Sequence, residues 1–339
     1  MSASPRFLVT GGTGFLGQYV VRGLKKIGQV DVLSRSPGSA IQGDLRRWKG
    51  GLEDQLLQPG KYAALVHLAG LYNLSAGSAE TYLQNVHGTH VALQIAAEAQ
   101  IPVFLNASSI AAVSNFQSSR VGPNDLDLDS NFPDAYSRSK AQAEQLVRNF
   151  MGSSPLRVNL RLGVLVGESE KGQIQRIDGP YEVAERIRSL RPWLAKWPWV
   201  LPVPGHPQAR LPLVPVDQAA QALVKICQHA LSVDQTGFQS YHLVPEEGVT
   251  IQKLYQSLFS HFGLGHVPLH FLEKVPDAAM IKMGSFALNL PEEQLRYAMG
   301  LPEFDRTTTQ NVLGTDWCSE FEDYESQFWR GYEDFLSNR

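Results

Sequence analysis

The chain has little cysteine: only Cys227 and Cys318 among 339 residues, far apart and in no CxxC pair. Such spacing builds no disulfide framework and points to a reducing, cytoplasmic compartment. Long apolar runs are missing too; none reaches the roughly 18 residues that a transmembrane helix needs. The apolar stretch from Phe7 to Val21 holds four glycines and two threonines, which interrupts the continuous core of a secretory signal. There is almost no excess charge of either sign: 30 Lys and Arg stand against 33 Asp and Glu, a net of -3. Nothing there provides the basic excess of a nucleic-acid binder. The nine histidines form no HExxH and no His/Cys cluster, so no metal site is expected. No GxSxG elbow occurs, which argues against a serine hydrolase. What is present is an ordinary globular balance, 43% hydrophobic and 19% charged, with enough apolar material for a large core.

The first half alternates short apolar runs with helical patterns. Arg6 to Thr10, Gln29 to Ser34, Ala63 to Ala69, Val103 to Ser109 and Leu156 to Val166 read as strands. Phe15 to Lys26, Thr81 to Ala99 and Tyr136 to Met151 read as helices. This alternation predicts βαβ units and a parallel sheet covered on both faces. The second half changes character. Residues 172–215 are rich in Pro, Trp and Arg, with a helical pattern in Tyr181 to Arg191. Leu213 to Val216 reads as a strand and Asp217 to Ala230 as a helix, and an acidic, aromatic tail runs from Glu320 to Leu336. No internal repeat or low-complexity linker divides the chain.

Thr10-Gly11-Gly12-Thr13-Gly14-Phe15-Leu16-Gly17 joins the first strand to the first helix. Glycines there permit a tight turn, close approach of a pyrophosphate and close helix–strand packing. The helix start adds free N–H groups and a positive dipole end. Dinucleotide binding follows, with Gly11, Thr13, Gly14, Phe15, Leu16 and Gly17 around the phosphates. At the end of the second strand, Ser34-Arg35-Ser36 has no acid at its tip. An acid there would hold the ribose 2′-OH of NAD, whereas Arg35 suits a 2′-phosphate with a hydroxyl from Ser34 or Ser36. Asp31 competes, but strand alternation makes it the less suitable tip residue. NADP(H) is preferred over NAD(H).

With these features the chain resembles the extended short-chain dehydrogenase/reductase superfamily over most of residues 6–230. The TGxxGxxG turn is one match. Gly43-Asp44-Leu45 matches the segment whose aspartate contacts the adenine amino group, and His67-Leu68-Ala69-Gly70 matches the HLAA-type strand end beside the cofactor. Asn85-Val86-His87-Gly88-Thr89 matches NVxGT, Ser108-Ser109 the catalytic-serine strand end, and Tyr136-Ser137-Arg138-Ser139-Lys140 matches YxxxK. The resemblance implies a Rossmann-type doubly wound parallel sheet with a smaller, mostly helical C-terminal substrate-binding domain. Residues 1–167 would form the first part, with 205–230 returning to it; 168–204 and 231–339 would form the second. It also implies contacts from Asp44, Leu45, Leu68, Ala69, Gly70 and Asn85 to the cofactor, and pairing of two copies through helices of the cofactor domain.

Tyr136 and Lys140 lie four apart and share a helix face. A free tyrosine, with a pKa near ~10, is too weak an acid for efficient proton transfer at neutral pH. A neighbouring ammonium stabilises tyrosinate. Tyr136 can then protonate a carbonyl oxygen as hydride arrives. By resemblance, Lys140 also holds the nicotinamide ribose. Ser109 would hold the reacting oxygen, with Ser108 as the alternative. His67 reads as structural or cofactor-adjacent.

Further segments narrow the resemblance. His67 to Leu74 (HLAGLYNL), Arg161 to Ser169 (RLGVLVGES), Ile177 to Tyr181 (IDGPY) and Leu213 to Asp217 (LVPVD) are similar to thioester-reductase and fatty-acyl-reductase-like proteins, including mupirocin-pathway reductase-like ones. Two departures stand out: Leu162 where relatives carry proline, and Ile-Ala-Ala-Val-Ser after Ser109 where they keep a glycine. The Trp193 to Val200 stretch reads as packing between domains, as a lid for an acyl chain, or as an interfacial anchor. The expected activity is NADPH-dependent reduction of a carbonyl in an apolar substrate, either an acyl thioester on coenzyme A or a carrier protein, or a related ketone. Three alternatives remain: a ketone/alcohol dehydrogenase like steroid or flavonoid reductases, a sugar-nucleotide epimerase, and a cofactor-sensing protein without turnover. Retention of both Tyr136 and Lys140 favours an enzyme.

Overall fold

The computed structural model describes residues 4–52, 58–72, 77–114, 119–151, 156–196, 200–272 and 275–339. The chain divides into two compact units. The first comprises Met1–Gly163, Val216–Leu243 and Pro302–Trp317, and the second Val164–Pro215, Val244–Leu301 and Cys318–Arg339.

The first unit is built on seven strands: β1 (Arg6–Thr10), β2 (Gln29–Ser34), β3 (Ile41–Gln42), β4 (Ala64–His67), β5 (Val103–Ser109), β6 (Leu156–Leu162) and β7 (Gly237–Leu243). All pair in parallel, in the order β7-β6-β5-β4-β1-β2-β3. Most of their side chains are apolar because both faces are covered, although β5, β6 and β7 also bury polar ones such as Asn106, Arg161 and His242. Phe7, Leu8, Leu65, Val66, Phe104, Leu105, Val158 and Leu160 are all buried. Strand order reverses between β1 and β4. In an open α/β sheet, that reversal opens a crevice at the carboxyl ends of the strands, where ligands bind.

Its main helices are α1 (Phe15–Leu24), α2 (Gly88–Glu98), α3 (Ala135–Asn149) and, after the chain returns from the second unit, a helix over Val216–Ser232. The expected single helix from Thr81 to Ala99 is instead divided. A short turn, Ser78–Thr81, leads into a π-helical stretch, Tyr82–His87, before α2. The expected strand from Leu156 to Val166 is also two strands. Gly163 donates its N–H to Leu243 O in the first unit, whereas Val164 donates to Pro212 O in the second.

The units differ from the expected division at residues 164–167, 205–215, 231–243 and 302–317. Residues 205–215 belong to the second unit: Arg210–Leu211 pairs antiparallel with Val249–Thr250, and Leu213–Pro215 pairs parallel with Val164–Val166. The chain then stays with the first unit through Leu243, because Gly237–Leu243 supplies the seventh strand. It comes back once more over 302–317, where Glu303–Phe304 pairs with Arg120–Val121 and Thr309 Oγ1 donates to His242 O.

The second unit packs helices Pro180–Leu194, Ile251–His261 and Phe321–Ser337 around an aromatic core. The acidic tail contributes that core through one apolar face. Tyr181 stacks on Phe328 at 4.4 Å, and Trp329 Nε1 donates to Ser257 Oγ at 2.7 Å. In the Trp-rich stretch, Leu194 is buried and Trp193 is 53% exposed. Trp197 to Trp199, like Asn73 and Leu74 of HLAGLYNL, lie outside the described residues. No described helix is long and apolar enough to cross a membrane.

Candidate active site

The glycine turn starts at the carboxyl end of β1. Gly11 has φ +70, and a Cβ there would lie 2.5 Å from Ala69 N, against the loop that leaves β4. Gly17 lies over the turn itself; its Cβ would come within 2.1 Å of Gly11 O. Glycine is therefore required at both positions by contact, and at Gly11 also by backbone conformation. Gly14 caps α1 with no side-chain hydrogen bond, and no acid stands in the first turn. The first N–H groups of α1 are thus left to an anion. Thr13 is exposed, and Phe15 and Leu16 are half-buried beside it.

At the tips of β2 and β3, Gly43 N donates to Ser34 O at 3.0 Å, which brings Asp44 and Leu45 beside Ser34 and Arg35. Ser34 Oγ accepts from Ser36 N at 3.1 Å, and Arg35 is exposed. Asp44 accepts from Arg46 Nη2 at 2.6 Å, and that bond holds its pKa down at about 2, with Arg35 adding to the effect. Arg46 is a residue the sequence reading missed; an exposed arginine two places after an aspartate carries no signal by itself. Asp31 is committed elsewhere. Arg6 grips it with two bonds, at 2.8 and 3.0 Å, and Tyr62 OH donates a third at 2.8 Å.

His67 ends β4 in full burial. Its ring nitrogens meet Thr10 Oγ1 at 2.7 Å and Thr89 Oγ1 at 3.1 Å. Burial, with the charge of Lys140, holds its pKa down at about 3. It is a neutral strut between β1, β4 and α2. Among the described residues no cluster of His, Cys, Asp and Glu could hold a metal.

Tyr136 and Lys140 both project from the first two turns of α3, which Asp134 caps by accepting from Ser137 N at 2.7 Å. Tyr136 is buried, with Tyr72 edge-on at 5.3 Å. Lys140 Nζ lies 5.9 Å from the Tyr136 ring centroid and donates to Ala107 O of β5 at 3.2 Å. Burial brings its pKa down to about 8. Gly70 keeps this corner open: a Cβ there would lie 3.3 Å from Lys140 Nζ and 3.1 Å from Asn85 Oδ1.

Asn85 ties the loop after β4 to α3. Its Oδ1 accepts from Leu71 N at 2.7 Å, while Nδ2 donates to Leu71 O at 3.2 Å and to Ser139 Oγ at 2.9 Å. Ser139 Oγ in turn donates to Tyr136 O at 2.7 Å. Asn85 lies in the π-helical stretch, a local insertion that is frequent at functional sites. Of the two serines, Ser109 is half-buried and accepts from Ala111 N at 3.1 Å, leaving its own O–H to donate. Ser108 is sealed in, and its Oγ has no partner among the described residues.

Behind the pair, Arg161 of β6 is fully buried and bound to Glu144 of α3 by Nη2 to Oε1 at 2.6 Å and Nε to Oε2 at 3.1 Å. In the sequence Arg161 is marked only as the first residue of RLGVLVGES.

The terminal R domain from the myxalamid PKS-NRPS biosynthetic pathway superposes with a TM-score of 0.78 at 20% identity, covering 99% of this chain and 92% of that one. A UDP-glucose-4-epimerase from Stenotrophomonas maltophila, with bound NAD and formylated UDP-arabinopyranose, gives 0.71 at 18%, covering 99% and 100%. MoeE5 in complex with UDP-glucuronic acid and NAD gives 0.65 at 19%, covering 98% and 99%. These likenesses share the fold. The sequence model of the family described as male sterility protein matches residues 25–223, more than half of the chain. The protein belongs to that family.

Proposed function

We propose that the protein is an NADPH-dependent reductase of a carbonyl in a largely apolar substrate, with an acyl thioester on a carrier protein or coenzyme A as the first candidate. The observation that carries this reading is the Tyr136–Lys140 pair on α3, with Lys140 Nζ held 3.2 Å from Ala107 O. The glycine turn, with its uncapped helix start, suits the pyrophosphate of a dinucleotide. A bound reduced nicotinamide would supply hydride to the carbonyl carbon. Tyr136 donates its hydroxyl proton to the carbonyl oxygen, and Lys140 stabilises the tyrosinate left behind. Ser109 donates its O–H to the same oxygen and stabilises the charge growing there. Asn85 keeps the loop of Leu68, Ala69 and Gly70 in register with α3.

Preference for NADP rests on the β2 tip. Asp31 is held by Arg6 and Tyr62, while Arg35 is exposed; Arg46 is engaged by Asp44. A guanidinium fork meets a phosphate with two parallel bonds. The thioester class is favoured by likeness to an R domain from a PKS-NRPS pathway. A sugar-nucleotide reaction is the second reading, favoured by the likeness to a UDP-glucose-4-epimerase.

The test is cofactor oxidation by the purified protein, comparing acyl-CoA thioesters, long-chain ketones and UDP-sugars, each with NADPH and NADH. Faster NADPH oxidation with a thioester or ketone is expected. Conversion of a UDP-sugar alone would overturn the reading in favour of the second.

A further inference from the structure

We propose that Arg161 is a positioning residue for the proton-donating pair: its two-pronged hold on Glu144 keeps that carboxylate off Lys140, one helical turn earlier on α3. The inference rests on the reading of Tyr136 and Lys140 given above.

Arg161 is placed by all five of its N–H donors. Two bonds go to Glu144; Nη1 also donates to Gly122 O at 3.1 Å and to His242 Nε2 at 2.9 Å, and Nη2 to Asp125 O. His242 therefore keeps its proton on Nδ1, which donates to Asp305 O at 2.8 Å. A guanidinium so fully used does more than balance charge; it fixes where both Glu144 oxygens sit. Residues i and i+4 of a helix are surface neighbours, so Glu144 has Lys140 on one side and Arg148 on the other. Arg148 reaches Oε1 at 3.2 Å from a partly exposed position, where water screens it. Arg161 and Glu144 are both fully buried. Removing the arginine alone would leave a buried carboxylate held only by Arg148, with Lys140 one helical turn away on the same helix.

The charged and titratable groups around Lys140 are few. Among the described residues, Tyr136, Arg138, Glu144 and Arg148 share its helix, Tyr72 packs on Tyr136 from the loop after β4, His67 faces it from β4, and Arg161 lies beyond Glu144 on β6. His67 is neutral, and Glu144 is the carboxylate that α3 carries, one turn from Lys140.

Ionisation of Tyr136 can be read without any substrate, by ultraviolet difference absorbance of each protein against its own Tyr136→Phe version. This separates failure of the inference from failure of the substrate assignment. Arg161→Met is expected to raise the Tyr136 midpoint by about one pH unit, a tenfold loss of tyrosinate. Glu144→Gln is expected to lower it, because the arginine charge is then uncompensated. Arg161→Met combined with Glu144→Gln should return it close to the wild-type value. A folded Arg161→Met protein with an unmoved midpoint overturns the inference, as does a double variant that stays shifted. If Arg161→Met does not fold, the Glu144→Gln protein decides: a midpoint that fails to fall overturns the inference.

Discussion

At the scale of single residues, cofactor choice turns on which side chains at the β2 and β3 tips are already engaged. Asp31 is the acid within β2 itself, and three hydrogen bonds from Arg6 and Tyr62 occupy its carboxylate. Arg35 lies beyond it and is exposed. Losing one charge-assisted bond costs about 1.5–3 kcal/mol. Arg35→Ala should therefore weaken NADP binding roughly tenfold or more while leaving NAD binding unchanged, as measured by titration of both cofactors. Equal loss for NAD and NADP would remove Arg35 from the phosphate site. The engagement of Asp31 was not legible in the sequence, because Arg6 and Tyr62 lie 25 and 31 residues away from it. The same distance effect hid Arg161, whose partner Glu144 is 17 residues away.

At the scale of elements, the unit from β1 through the glycine turn to α1 was the most legible part. Its signal is local: an apolar strand, glycines at fixed offsets and a helix with Leu16, Val20 and Leu24 on one face. Gly17→Ala would drive a Cβ to 2.1 Å from Gly11 O, shorter than any real contact. It should abolish cofactor binding, read by nicotinamide fluorescence, while far-ultraviolet circular dichroism stays near wild type. Cofactor binding retained by that variant would contradict the account of the turn. IDGPY has a local explanation as well. Gly179 caps helix Pro180–Leu194 at φ +53, Pro180 takes the first helical position, and Tyr181 OH accepts from Gly167 N at 3.1 Å. That motif starts a helix and ties it to the RLGVLVGES segment. The π-helical stretch around Asn85 was not legible, since apolar spacing does not separate it from an ordinary helical turn.

At the scale of the whole molecule, the division into units was legible only in outline. The two returns to the first unit depend on pairing of Gly237–Leu243 and Glu303–Phe304 with distant strands, and period alone does not reveal a partner. Two buried histidines make the first unit sensitive to acid. Burial holds His67 at about 3 and His242 at about 4, against an ordinary value of 6.5. The unfolded chain takes up these protons first, so stability is full above pH ~6.5 and falls as pH drops toward the folded values. Each contributes a loss of about 2 kcal/mol between pH 7 and pH 5. A clear drop in the urea midpoint over that interval is expected, and an unchanged midpoint would contradict neutral burial of both rings. The central claim is that Tyr136, supported by Lys140, supplies the proton as hydride reaches a carbonyl. Its most direct test is single-turnover oxidation of bound NADPH by the wild-type and Tyr136→Phe proteins with an acyl thioester. Loss of the phenol should slow the step by about 10²-fold or more with NADPH affinity retained, and a Tyr136→Phe rate equal to wild type would contradict the claim.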